Sequence, residues 1–246
     1  MPALSGKVVV VTGASRGLGE GMAERFAAEG LRLGLCARTA PVAPPGAHAV
    51  VASVDVTDAR ALAAFADEVV EAFGPIDLWV NNAGVLDPMG PLRDAEPAAI
   101  DRALLVNVGG VANGTRTFAR LARTWEPGRR VLVNISSGAA TSIYEGWSIY
   151  GATKAAVDHL TAIVAAEEPG LVCHAVAPGV VDTDMQAEIR THDATTFPAI
   201  DRYRDLHETG RWNSPAWVAD HLLAILDGSL VPEGVRYRVP DQPGET

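Results

Sequence analysis

Short apolar runs and longer amphipathic stretches alternate along this chain. Val8–Val11 is an unbroken β-branched run, too short to cross a bilayer and typical of a strand covered on both faces. Comparable runs predict strands near 7–12, 31–36, 48–53, 76–80, 130–135, 171–176 and 235–239. Between them, apolar residues recur at helical spacing and predict helices near 17–29, 58–73, 98–124 (in two pieces), 149–167 and 214–226. Thr57-Asp58 supplies an N-cap for the second helix, and Gly74-Pro75 stops it. Thr39–Gly46, rich in proline and alanine, reads as a loop after the second strand. Residues 182–213 are polar and irregular with short helical patterns, and Pro240–Thr246 is expected to be a frayed tail. Strands alternating with helices mark an α/β fold: a doubly wound, seven-stranded parallel sheet with helices on both faces.

Composition narrows the picture. A chain of 246 residues, 48% hydrophobic and 20% charged, is long enough for one substantial core, and residues 1–246 read as a single domain. The formal net charge of −10 opposes binding to a phosphate backbone, so no nucleic-acid partner is expected. No apolar stretch approaches the ~20 residues of a membrane span, and the N-terminus lacks the apolar core of a secretory signal. Cys36 and Cys173 lie in strand-like runs and read as small buried hydrophobes, and a cytoplasmic location is expected. The six histidines show no metal-ligand spacing, so no catalytic metal is expected.

The chemistry gathers where strands end. The first strand runs into Thr12-Gly13-Ala14-Ser15-Arg16-Gly17-Leu18-Gly19 and then into a helix, an arrangement that offers backbone N–H groups to a pyrophosphate. The spacing is Gly-x-x-x-Gly-x-Gly, and no Gly-Lys-Ser/Thr follows, which excludes a P-loop kinase or GTPase. Later strands end in Asn81-Asn82-Ala83-Gly84, in Ser136-Ser137 and in Pro178-Gly179-Val180-Val181-Asp182-Thr183. Only two lysines occur, and one, Lys154, stands four residues after Tyr150. On a helix these side chains share a face. A cation there stabilises a phenolate, and bringing a tyrosine from about 10 to about 7 takes about 4 kcal/mol.

Together these residues make the chain resemble the short-chain dehydrogenase/reductase family over nearly its whole length, with a Rossmann-type fold. The resemblance rests on Thr12–Gly19, Asp55-Val56, Asn81–Gly84, Asn107, Ser137, Tyr150, Lys154 and Pro178–Thr183. Val133–Ala140, Gly146–Tyr150, Glu167-Glu168-Pro169 and Asp182–Gln186 are similar to the benzil reductase and sepiapterin reductase branch, and Arg202–Gly210 resembles the bacterial benzil reductases.

The resemblance implies a carbonyl reductase in which Tyr150 is the general acid and Lys154 holds the nicotinamide ribose. Ser137, chosen over Ser136 by its interval of thirteen residues from Tyr150, donates to the substrate oxygen. Asn107 interrupts a helix and holds a water behind Lys154. The cofactor would contact Gly13, Ser15, Arg16, Gly17, Leu18, Gly19, Ala37, Arg38, Asp55, Val56, Asn82, Ala83, Gly84, Tyr150, Lys154, Pro178, Gly179, Val181, Thr183 and Met185. NADP(H) is expected: family members using NAD carry an acid at the end of the second strand, where Ala37 stands, and Arg38 with Arg16 would grip a 2′-phosphate.

Substrate would meet Ser137, Tyr144, Trp147, Tyr150, Gly179, Met185 and Gln186, with residues 182–213 as cover and Tyr144 as the only other tyrosine near the site. Benzil-like 1,2-diketones are the preferred substrates. A pterin, an acyl thioester and a sugar or polyol are the alternatives, and an NADP(H) sensor is disfavoured because the tyrosine–lysine machinery is complete. The carboxylate that anchors a pterin in sepiapterin reductases aligns with Arg238, unless Asp241 substitutes. A homodimer or homotetramer is expected: along 104–123 and the helix from 149, Val108, Val111, Ala112, Ala156, Val157 and Leu160 cover more than one stripe, as burial against both the sheet and a partner demands.

Overall fold

The computed structural model describes residues 4–243. Seven strands form one parallel sheet: β1 (Val8–Thr12), β2 (Arg32–Ala37), β3 (Ala49–Ser53), β4 (Leu78–Asn81), β5 (Val131–Ile135), β6 (Val172–Ala177) and β7 (Arg236–Arg238). Their order is β3-β2-β1-β4-β5-β6-β7, so the winding reverses between β1 and β4 and opens a crevice at the carboxyl ends of those strands.

The helices are α1 (Gly17–Ala28), α2 (Ala59–Phe73), α3 (Pro97–Leu104), α4 (Val111–Ala122), α5 (Ser148–Glu167), α6 (Asp184–Thr191), α7 (Ile200–Thr209) and α8 (Pro215–Asp227). Alternate strand residues serve opposite layers, as the two-residue period of a strand requires. Val9, Val11, Leu33, Leu35 and Val133 pack beneath α1 and α8, whereas Val8, Val10, Trp79 and Leu132 pack beneath α2, α4 and α5. Both layers exclude water, which explains the runs of β-branched residues; each such side chain contributes roughly 1.5–3 kcal/mol when fully covered.

Local signals end the helices where the sequence predicts. The Asp58 carboxylate accepts from the amides of Arg60 and Ala61 at 2.9 and 3.0 Å to start α2, and Gly74 closes it with φ 87°. Close layer packing needs glycine at Gly21, where an added Cβ would stand 2.5 Å from Pro215 of α8.

The middle of the sheet carries a buried polar ladder. Trp79 Nε1 donates to Asn81 Oδ1 at 2.8 Å, Asn81 Nδ2 to Asn134 Oδ1 at 2.8 Å, and Asn134 Nδ2 to Thr161 Oγ1 at 2.9 Å. This chain ties β4, β5 and α5 in one register, and its satisfied groups resist displacement because a broken link would strand a buried polar atom.

One expectation holds and one changes. The stretch 98–124 does fall in two pieces, α3 and α4, interrupted at Asn107 by a π-helical segment, Leu105–Gly110. The tail from Pro240 is pinned as far as Gln242. The Pro240 carbonyl accepts from Trp217 Nε1 at 2.9 Å, the Gln242 amide donates to Asn213 Oδ1 at 2.7 Å, and the Ser214 amide donates to Gln242 Oε1 at 2.8 Å. Residues 244–246 of that tail lie outside the described residues.

Candidate active site

Backbone carried to the carboxyl ends of β1, β4, β5 and β6 builds the site. Gly13 has φ 67°, and a Cβ there would lie 2.7 Å from Ala83 Cα, so the loops after β1 and β4 touch only because Gly13 has no side chain. Thr12 Oγ1 accepts from the amides of Asn82 and Ala83, each at 3.1 Å. Asn82 Nδ2 donates to the carbonyls of Thr12 and Gly13 at 3.0 and 3.2 Å. The Asn82 side chain therefore braces the glycine turn.

Helix α1 begins at Gly17, and its N-cap, Arg16, has an extended backbone and makes no side-chain capping bond. Uncapped helix amides carry partial positive charge and suit a phosphate. Ser15, Leu18 and Gly19 complete this turn, and Thr183 closes on it, 3.3 Å from the position of a Cβ on Gly17. At the end of β2, Ala37 is buried and Arg38 is exposed. The Asp55 carboxyl is held below the usual range, first by the amide of Thr57 and further by the nearby cations Arg38 and Arg102. Val56 is buried and faces Gly110 of the π segment. Arg16 Nη1 meets Asp184 Oδ2 at 3.2 Å, an exposed pair at the start of α6.

Tyr150, Lys154, Ser137 and Asn107 come together around the start of α5. Tyr150 and Lys154 sit in the first turns of α5, with the Lys154 Nζ 5.7 Å from the Tyr150 ring centroid and donating to the Ile135 carbonyl at 2.8 Å. Burial drives the Lys154 ammonium down to about 8, with Asp158 opposing the shift. Burial also pushes the Tyr150 phenol up, with its hydrogen bond to the Ser137 hydroxyl pulling the other way. Among protein groups alone, desolvation outweighs the hydrogen bond with Ser137.

Ser137 Oγ accepts from the Ala139 amide at 3.1 Å, which leaves its O–H to donate. Ser136 is unavailable, since its hydroxyl is bonded to Asp158. Asn107, fully buried in the π segment, accepts from the Val85 amide at 2.8 Å and donates to the Val85 carbonyl at 2.9 Å and to Thr153 Oγ1 at 3.1 Å. It clamps the loop after β4 to α5. A Cβ on Gly84 would come within 3.2 Å of Asn107 Oδ1 and 3.8 Å of Lys154 Nζ, so a bare glycine keeps the approach to the ammonium open.

An aromatic wall stands beside Tyr150. Trp147 stacks on Phe197 at 4.6 Å between centroids and meets Tyr144, Tyr150 and Tyr203 at 5.2, 5.4 and 5.6 Å. Leu86, Ile189, Val180 and Met185 extend it. Trp147 is 6% exposed, and its Nε1–H has no acceptor among the described residues. Tyr203 corrects the expectation that Tyr144 is the only other tyrosine near the site. Phe197 and Tyr203 come from the polar segment 182–213; their spacing with Ile200, three residues each way, is the signal that would have revealed them. Gln186 lies on α6 without a side-chain bond into this cluster among the described residues.

Pro178 and Gly179 are fixed by Asn213, whose Nδ2 donates to the Pro178 carbonyl at 2.8 Å and would lie 2.7 Å from a Cβ on Gly179. Val181 is buried and bridges to Asn213. Helix-terminal amides, a cleared path to Lys154 and the flanking strand ends fit a nicotinamide dinucleotide lying across the crevice.

The short chain dehydrogenase family model matches residues 7–194. A benzil reductase ((S)-benzoin forming) of Bacillus cereus is 32% identical, with 96% of this chain and 100% of that protein covered. The crystal structure of the KRED1-Pglu enzyme superposes with TM-score 0.81 at 34% identity, covering 94% of this chain and 99% of the other. A 3-ketoacyl-(acyl-carrier-protein) reductase from Brucella melitensis, solved with NADH, superposes with TM-score 0.78 at 29% identity, over 96% of this chain and 97% of that one.

Proposed function

Since the chain belongs to the short chain dehydrogenase family, whose members bind a nicotinamide cofactor, we propose that it is an NADPH-dependent carbonyl reductase acting on one carbonyl of a hydrophobic 1,2-diketone. The product is an α-hydroxyketone. The aromatic wall around Tyr150 carries the substrate reading. Half-buried Tyr144 and Met185 offer apolar surface for an aryl group, and the buried rings of Trp147, Phe197 and Tyr203 hold that surface in place from behind.

The nicotinamide, when bound, supplies hydride to the carbonyl carbon. Tyr150, whose raised pKa keeps its proton in place, donates that proton to the carbonyl oxygen as negative charge develops there. Ser137 donates a hydrogen bond to the same oxygen, its acceptor side being occupied by the Ala139 amide. Lys154 would hold the ribose hydroxyls, and α6 with α7 would shield the reacting atoms from water.

The exposed guanidiniums of Arg16 and Arg38, with Ala37 in place of an acid, support selection of the 2′-phosphate. On a pterin substrate the site is less suited: Asp241 is engaged by Arg238 at 2.7 Å, so neither residue offers a net negative charge. Two buried free thiols support a reducing, cytoplasmic location. Exposed Leu104, Leu105 and Ile163 on or beside the outer faces of the helices around the π segment and α5 support a homodimer.

The test is NADPH consumption with benzil, 1-phenyl-1,2-propanedione, sepiapterin and an acetoacetyl thioester. The aryl diketones should give the highest kcat/KM. Sepiapterin or the thioester outperforming both would reject the substrate reading.

A further inference from the structure

The catalytic serine stands just past the end of the sheet. The last sheet bond of that strand runs from the Ser136 amide to the Val176 carbonyl at 2.7 Å, and Ser137 then leads into a single 3₁₀ turn. Charged side chains grip three successive residues there. Lys154 Nζ holds the Ile135 carbonyl, Asp158 holds the Ser136 hydroxyl, and Arg236 Nη2 reaches the Ser137 carbonyl at 3.4 Å.

Arg236 comes from β7, the strand most distant from the cofactor crevice. Its Nε donates to Asp158 Oδ2 at 2.9 Å, and its Nη2 also donates to Thr141 Oγ1 at 3.3 Å, on the far side of the turn. One guanidinium thus spans α5 and both ends of the serine turn. A planar fork of donors can hold such a bridge in one geometry, whereas an ammonium cannot. Resting on the reading of Ser137 given above, we infer that the Asp158–Arg236 ion pair is a positioning device for Ser137, which makes the last strand part of what sets turnover.

Simple docking of β7 onto α5 does not account for the pattern. Arg238 projects from the same face of β7 and pairs locally with Asp241, without crossing to the turn. Docking also gives no reason for the Ser136 hydroxyl to be committed to Asp158. The pair has an electrostatic consequence as well. Asp158 stands four residues after Lys154 and acts on its charge, and Arg236 offsets that carboxylate where it is only 16% exposed.

The test compares Arg236→Met, Arg236→Lys, Ser136→Ala and Ser137→Ala, using the best ketone of the panel above. Readouts are kcat per folded enzyme, KM, NADPH Kd by fluorescence, and thermal melting. Arg236→Met should lower kcat about tenfold to a hundredfold, the scale of a misplaced reacting group, with KM and NADPH Kd within about twofold. Arg236→Lys should restore the melting temperature but only part of kcat. Ser136→Ala, the mildest change, should lower kcat in the same direction and serves if Arg236→Met does not fold. Unchanged kcat in folded Arg236→Met or in Ser136→Ala, while Ser137→Ala is impaired, overturns the positioning role alone. Unimpaired Ser137→Ala overturns the reading of Ser137 and this inference with it.

Discussion

Lys154→Met should change the pH dependence of stability in a way that isolates one buried charge. Burial lowers the Lys154 ammonium from 10.5 to about 8, a displacement corresponding to about 3 kcal/mol at roughly 1.4 kcal/mol per pH unit. The sign follows from which state keeps the proton. Below pH 8 the amine is charged in both folded and unfolded chains, so the folded state bears the whole penalty. Above 10.5 both are neutral and none remains. Wild-type stability from this group therefore rises with pH across that window.

Methionine removes the penalty and also the bond to the Ile135 carbonyl, a charged hydrogen bond of about 2 kcal/mol, so at pH 7 the variant should be equal to the wild type or about 1 kcal/mol more stable. Between pH 7 and 9.5 the wild type should then gain about 2 kcal/mol relative to the variant. Cys36 and Cys173, raised to about 12 and about 11, lower stability over the same range, but equally in both proteins, and cancel in the difference. Urea unfolding of both proteins at the two pH values measures this. Parallel stability changes would refute the buried-ammonium account, whatever the variant does to turnover.

Three further outcomes are expected. Tyr150→Phe should lose at least about a hundredfold in kcat while NADPH still quenches protein fluorescence with near-normal Kd, because the proton donor is lost and the crevice is not. Arg38→Asp should shift the kcat/KM ratio towards NADH by about tenfold or more, through loss of one guanidinium and repulsion of the 2′-phosphate; a lower KM for NADH in the wild type would contradict the cofactor assignment. Light scattering at micromolar concentration should give a mass of at least two chains, and a strictly monomeric mass would remove the proposed helix-face interface.

Much of the fold was legible because each strand signal had a single physical meaning. Val8–Val11 has no polar face to offer water, so it had to lie inside a sheet covered on both sides. Asp58 and Gly74 mark their helix ends by chemistry that depends on the nearest backbone alone. Tyr150 and Lys154 were legible for the same reason, since helical spacing is local and sets them on one face. The π segment at Leu105–Gly110 was not read from pattern: it differs from an α-helix by one hydrogen-bond step, and only the tertiary demand on Asn107, clamped to Val85 and Thr153, explains it.

The rest of the site was hidden because it depends on partners far apart in sequence. Tyr203 and Phe197 lie in a polar segment where their spacing with Ile200 marks an apolar stripe but not its partner, and they meet Trp147 only once α6 and α7 fold over the sheet. Arg236 and Asp158 are seventy-eight positions apart, and neither sits in a motif. Asn82 shows a second role inside a motif. Its place in Asn81–Gly84 suggests a ligand contact, and its side-chain donors also brace Thr12 and Gly13. A motif residue can stand at a binding site because it shapes the backbone there, and substitution separates the two roles. Asn82→Ala should lower thermal stability and weaken NADPH binding together, through loosening of the glycine turn. A residue that only touched the cofactor would change binding and leave the melting temperature of the unliganded protein where it was.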